Sequence, residues 1–224
     1  MNSQDELLGK PLALVVALAL VSLLPFVFMS VTSFVKISTV LQIVRGAIGA
    51  QNVPSSTVIM ALAGALTLLA MAPVGDAIYD RAAPLLTARP APDTLTLLEG
   101  GMDAFREPMR TFLHANSDAR ERARFLAVAR NARPEADRAK VTEHDLTVLV
   151  PSFVVTELSE AFAIGFLLYL PFLVIDLVIA NILLALGMQM LSPTQVSLPF
   201  KLLLFVSIHG WGLLAQALVS SYRG

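Results

Sequence analysis

Two long apolar stretches flank a polar middle, and that pattern sets the elements. From Pro11 to Val35 no residue carries a formal charge, a run of 25 positions and more than the roughly 20 that a helix needs to cross a hydrocarbon core. A second charge-free run goes from Gly46 to Gly75; its apolar part, Val53 to Val74, opens on Pro54-Ser55-Ser56, which suits a helix start. With Lys36 and Arg45 in the short connection between them, the two spans predict a helical hairpin over residues 1–75. The pattern becomes soluble at Asp76. Leu95, Leu98, Met102, Phe105, Met109 and Phe112 recur at three- and four-residue spacing, the stripe of an amphipathic helix. Asn116-Ser117-Asp118 offers a cap for a second helix, in which Phe125, Leu126 and Val128 lie among Arg120, Arg122, Arg124 and Arg130. Residues 76–141 therefore read as a small polar helical domain.

Thr142-Glu143-His144-Asp145 has the spacing of a capping arrangement and precedes the longest apolar stretch in the chain. A helix is expected to start there and to be interrupted by Pro151 and Pro171. The run from Ala161 to Met188 holds one charge, Asp176, and after Ser192-Pro193 a further apolar helix is expected from about Ser197 to Tyr222, with Lys201 near its start. This makes a second hairpin, residues 142–224, with its tip near 187–193. The predicted fold class is all-α, an integral membrane protein in which two long kinked helical hairpins flank a small helical extracytoplasmic domain.

Composition sharpens this. In a chain of 224 residues, 56% apolar content and a mean hydropathy of +0.72 exceed what an ordinary soluble fold can bury in its own core, so the excess must meet lipid or partner subunits. Of the 33 Asp, Glu, Lys and Arg residues, 23 lie between Asp76 and Asp145, which leaves the hairpins almost bare of charge. A net charge of −1 provides no basic field for neutralising phosphates, which sets nucleic-acid binding aside. The leading segment is acidic (Asp5, Glu6) with only Lys10 beside the apolar run, and no Ala-x-Ala site follows it; a retained span is preferred to a cleaved signal peptide. Lys36, Arg45 and Lys201 fall on the side of the hairpin turns, and Lys10 and Arg223 on the other. The charge rule for topology then places the turns in the cytoplasm, and the termini and charged domain outside it.

Candidate chemistry is sparse. Cysteine is absent, and His114, His144 and His209 lie in three different segments without a His-Glu-x-x-His arrangement, so neither a metal centre nor a cofactor is expected. There is no Gly-x-x-x-x-Gly-Lys-Ser/Thr loop to cradle a nucleotide and no Gly-x-Ser-x-Gly elbow. The arginine cluster is either a binding patch or a solvated face balanced by nearby acids. An acid within an apolar span costs roughly 2.5–3.5 kcal/mol on insertion scales, so Asp176 is a proton relay or a structural acid satisfied by Lys201 or Asn181. Met188 and Met190, in the tip Gly187-Met188-Gln189-Met190-Leu191-Ser192-Pro193, could bind soft copper ions, seal around an occupant of variable shape, or simply pack. A structural pore subunit, an ion or metal transporter and an intramembrane hydrolase all remain open on these residues. The lack of an evident repeat between the hairpins weighs against a transporter.

A resemblance separates these readings. Pro151-Ser-Phe-Val-Val-Thr-Glu-Leu-Ser-Glu-Ala-Phe-Ala-Ile-Gly-Phe166 with Leu-Leu-Tyr-Leu-Pro-Phe-Leu-Val-Ile-Asp176, then Asn181-Ile-Leu-Leu-Ala-Leu-Gly-Met188, Met190-Leu-Ser-Pro193, Ser197-Leu-Pro-Phe-Lys-Leu-Leu-Leu-Phe-Val206 and Gly210-Trp211, closely resemble the FliP/SctR family of type III secretion export-gate proteins. Thr32-Ser-Phe34, Lys36-Ile37, Val44-Arg45 and Met71-Ala-Pro-Val74 agree in the first hairpin. Lys36 and the stretch from Gln51 to Gly75 look more like the virulence-type SctR branch, of the injectisome, than like flagellar FliP. Ala163, Gln189 and His209 depart from the family pattern. The resemblance implies a non-enzymatic subunit of the bacterial inner membrane, assembled in copies of itself as a pentameric ring, with SctS-like and SctT-like subunits and an SctU-like switch protein. The ring would be the entry portal for unfolded secretion substrates. The same resemblance carries the family's pore gasket over to Met188 and Met190, with Gln189 between them as the residue that interrupts the methionine run in the expected gasket Met188, Gln189, Met190. Glu157, Glu160, Asp176 and Lys201, charges isolated in apolar helices, are the expected buried or inter-subunit polar contacts.

Overall fold

The structure, a computed structural model, describes residues 15, 18–19, 21–23, 25–50, 53–87, 93–188 and 190–222. Among them every regular element is helical and no strand occurs. Part of the first expected span, mainly its N-terminal end, lies outside the described residues, as do Lys10, Gln189 and Arg223. The part of that span that is described carries α1, Val21–Val31. α2, Phe34–Ile48, ends on Gly49 in the left-handed region (φ 81°), where glycine carries no side-chain penalty. Ile37, Val40, Leu41 and Val44 are all buried, and their spacing puts them on the face of α2 that packs along α8.

α3, Ser56–Ala70, starts where Pro54-Ser55-Ser56 suggested: the Ser55 hydroxyl accepts from the Val58 N–H at 3.4 Å. The chain then bends by 53° into α4, Ala72–Thr87, which crosses the expected boundary between 75 and 76 without a break and packs against α5, Thr94–Ala115. The stripe on α5 is covered only in part, since Met109 and Phe112 are buried while Met102 and Phe105 are exposed. Asp118 caps α6, Ala119–Asn131, by accepting from the Arg120 N–H at 2.7 Å, and a single turn, α7 (Glu135–Arg138), follows.

The C-terminal helices differ from expectation in two ways. α8, Leu146–Ala185, is one continuous helix of 40 residues with both Pro151 and Pro171 inside it. At 1.5 Å per residue it is roughly 60 Å long. The prolines do not interrupt it because their fixed φ is already helical and each removes only one backbone bond. A break in apolar surroundings would strand several more polar groups. Conversely, the single helix expected from Ser197 to Tyr222 is two, α9 (Pro193–Ser207) and α10 (Gly210–Ser220), bent by 58°. The bend falls at His209, at φ 53°, and a side chain on Gly210 would run into the Phe205 ring, so packing rather than proline turns the chain here. Among the described residues, α8 is the one helix long and apolar enough by itself to cross a membrane, and up to four spans result if each bent pair counts as one. Much of its apolar surface, including Phe162, Phe166, Leu167 and Leu177, faces outward in the single chain.

Candidate functional site

The tip between α8 and α9 is built by its termini. Leu186 closes α8, Gly187 takes φ 72°, and the amides of Gly187 and Met188 donate to the carbonyls of Leu184 (3.1 Å) and Leu183 (2.9 Å), the paired bonds of a Schellman cap. Ser192 and Pro193 then start α9, the proline where its missing N–H costs nothing. Held between these ends, Met190 is 98% and Met188 45% exposed, so one flexible, polarisable side chain projects almost uncovered and a second lies partly covered beside it. Leu191 beside them is exposed as well. Gln189, the third residue of the expected gasket, lies outside the described residues.

Along the apolar helices, the isolated charges come together in two clusters. Lys201, 2% exposed, places its ammonium 2.6 Å from Asp176 Oδ2 and also donates to the Ala47 carbonyl at 3.3 Å; the Ser197 hydroxyl donates to the other Asp176 oxygen. Of the two partners expected for Asp176, Lys201 is the one in place. In the second cluster, Lys36 on α2 lies 3.0 Å from Glu157 Oε1 and 2.8 Å from Glu160 Oε2 on α8. Its ammonium also sits 4.2 Å above the centre of the Tyr222 ring. The Tyr222 hydroxyl donates to Glu157 and stands 3.1 Å from the Ser33 carbonyl oxygen. Glu157 is wholly buried, whereas the Glu160 side chain is half exposed. Lys36 and Tyr222 were absent from the expected contact set; Lys36, a lone cation at the edge of an apolar run, was the available signal, and Tyr222 had none.

A polar cleft of about 560 Å³ opens beside the second cluster, lined in part by Lys36, His114, Arg122, Thr156, Glu157 and Glu160. The arginines divide. Arg124 and Arg110 pair with Glu121 and Glu107 in their own helices, while Arg122 donates to the carbonyls of His114 and Ser117 and Arg130 to that of Val141. The cluster thus closes turns within the polar region. Burial, then the Arg122 guanidinium and His144, hold His114 below the ordinary histidine value. His114 and His144, far apart in sequence, stack with ring centres 4.9 Å apart. The Ser117 hydroxyl donates to the backbone carbonyl of His114 rather than to its ring, which is not the contact by which a histidine base activates a hydroxyl nucleophile.

This geometry defines a class: a helical scaffold whose apolar helices are joined by buried ion pairs and turn an uncovered methionine tip outward. Comparison with known proteins gives the particular family. The chain belongs to the FliP family, which it matches over residues 17–218. It is 45% identical to the hypersensitivity response secretion protein HrcR of Ralstonia nicotianae, covering 94% of this chain and 97% of that protein. It is 44% identical to the Yop proteins translocation protein R of Yersinia pestis, over 94% and 96%. Identity to the flagellar biosynthetic protein FliP of Caulobacter vibrioides is lower, 39% over 94% of this chain and 76% of that protein. The family and its virulence-type branch are thus those that the sequence resembles.

Proposed function

We propose that the chain is a core pore-forming subunit of a type III secretion export gate. Several copies, five in the reading argued from resemblance, associate with SctS-like and SctT-like subunits and an SctU-like switch protein to form the portal by which unfolded proteins enter the secretion path across the bacterial inner membrane. The subunit is multi-pass, with residues 76–141 on the periplasmic side. The observation that carries this reading is the tip: an apolar side chain left 98% exposed at Met190 forgoes about 1.5–3 kcal/mol of burial unless something covers it. Thioether side chains from several copies would cover one another when the pore is empty and repack around an extended chain when it is occupied, without reading sequence. Energy for transport comes from outside this chain, which has no nucleotide-binding loop; its role is structural. The higher identity to secretion-named than to flagellar relatives favours the injectisome over the flagellar counterpart.

Replacing Met188 and Met190 together by Ala tests this. The complex should still assemble, judged by its mass in mild detergent, while cells expressing it should leak small molecules. Unchanged permeability in assembled complexes would count against the seal.

A further inference from the structure

The stacked histidines have a third neighbour. His114 closes the last turn of α5, and Glu143 and His144 form the turn before α8. One ligand atom from each of the three lies within 4.8 Å of the other two, with His144 Nε2 3.8 Å from Glu143 Oε1. We propose that His114, Glu143 and His144 form a divalent-cation site of the zinc class, clamping the end of α5 to the start of α8. Two imidazoles and one carboxylate are a nitrogen-rich set that suits Zn²⁺ and its neighbours, and not Mg²⁺ or Ca²⁺, which take oxygen. Zinc bonds of about 2.0–2.1 Å require ligand atoms closer than they stand here. The side chains of Glu143 and His144 are more than half exposed and free to rotate inward.

The frame around them is fixed. Arg122 and the Ser117 hydroxyl both donate to the His114 carbonyl. The Asp145 carboxylate accepts from the Thr142 amide and hydroxyl, each at 3.1 Å, which pins the turn carrying the other two ligands. A cleft of about 530 Å³, lined by Glu107, Arg110, Thr111, His114, Ala115 and His144, leaves room for water as fourth ligand. The site lies outside the methionine tip and both ion-pair clusters, so it stands or falls independently of the export reading.

The test uses the full chain in detergent, purified without a histidine tag, stripped with chelator and titrated with Zn²⁺ and, separately, Co²⁺. One Zn²⁺ per chain is expected, with the visible absorption of tetrahedral Co²⁺. His144→Asn should weaken binding by more than the roughly 10–100-fold typical of an outer-shell change, while His209→Asn should leave it unaltered, with circular dichroism confirming that each variant is folded. Zn²⁺ affinity equal in the wild type and the folded His114→Asn/His144→Asn variant would overturn the proposal, as would an equal loss in His209→Asn.

Discussion

Replacing Lys36 with Met tests how the two hairpins are held together. Methionine keeps the length and apolar stem of the side chain, so the change removes little except the charge. That charge lies 3.0 Å from Glu157, whose side chain is wholly buried, and 2.8 Å from Glu160, whose side chain is half exposed. Water can solvate Glu160 in place of the ammonium, so that contact is worth no more than an exposed pair, about 0–1 kcal/mol. Glu157 has no such recourse. It keeps only the Tyr222 hydroxyl, and removing one partner of a buried pair costs about 3–5 kcal/mol because the other charge is stranded. Loss of the contact with the Tyr222 ring at 4.2 Å adds about 0.5–2 kcal/mol. Against a typical total of about 5–15 kcal/mol, Lys36→Met should unfold far more readily in detergent, followed by far-UV circular dichroism against denaturant. Lys36→Met/Glu157→Gln should recover most of the loss because the stranded charge is gone, and Glu160→Gln alone should cost under about 1 kcal/mol. A Lys36→Met cost below about 1 kcal/mol, or simple additivity in the double variant, would refute the assignment of a buried, mutually dependent pair.

Three further changes probe other joints. Asp176→Asn leaves the Lys201 ammonium buried and short of its counter-charge, so assembly should fall before transport does; normal complexes that fail to secrete would instead make Asp176 a relay. At Gly165 an added Cβ would come within 2.5 Å of Ile43 Cδ1, so Gly165→Val should force α2 and α8 apart and cost about 1–3 kcal/mol in a melt; an unchanged melting curve would mean that Ile43 swings clear. Asp118→Ala removes the cap of α6 and should cost about 0.5–2 kcal/mol, seen as faster hydrogen exchange confined to the first turn of that helix.

What could be read along the chain, and what could not, follows from the range of the forces involved. Caps act over three residues, so Ser55 and Asp118 announce their helices. Asp145 was legible too: its bonds back to Thr142 are half of the capping arrangement expected there, although the helix itself begins at Leu146. Bends inside apolar runs act through packing and leave no local mark. The turn at His209 depends on the Phe205 ring lying against Gly210, whereas Pro151 and Pro171, the residues that looked like breaks, sit inside α8. Residue type at the tip was readable from Met188 and Met190, but their exposure depends on how Gly187 and Pro193 end two helices. The meeting of His114 with His144 required α5 and α8 to be docked first, which no spacing rule encodes.

The two lysines show how far tertiary structure changes the meaning of a charge. Along the chain, Lys36 and Lys201 read as loop cations that orient the hairpins, a rule that applies to charges solvated at a membrane surface. In the fold both are buried and paired, so they no longer act as free surface cations. Each binds across the division between the hairpins: Lys36 reaches from α2 to Glu157 and Glu160 on α8, and Lys201 on α9 donates to the Ala47 carbonyl of α2 as well as pairing with Asp176. A first hairpin alone would therefore carry an unpaired ammonium into apolar surroundings, and a second hairpin alone the unpaired Glu157, at roughly 2.5–3.5 kcal/mol for each such charge on insertion scales. Apolar faces by themselves would let α2 slide along α8, since one turn of leucine and valine resembles the next. The ion pairs allow a single register, so the hairpins that appear separate in sequence form one interlocked unit, and that unit sets the position of the methionine tip.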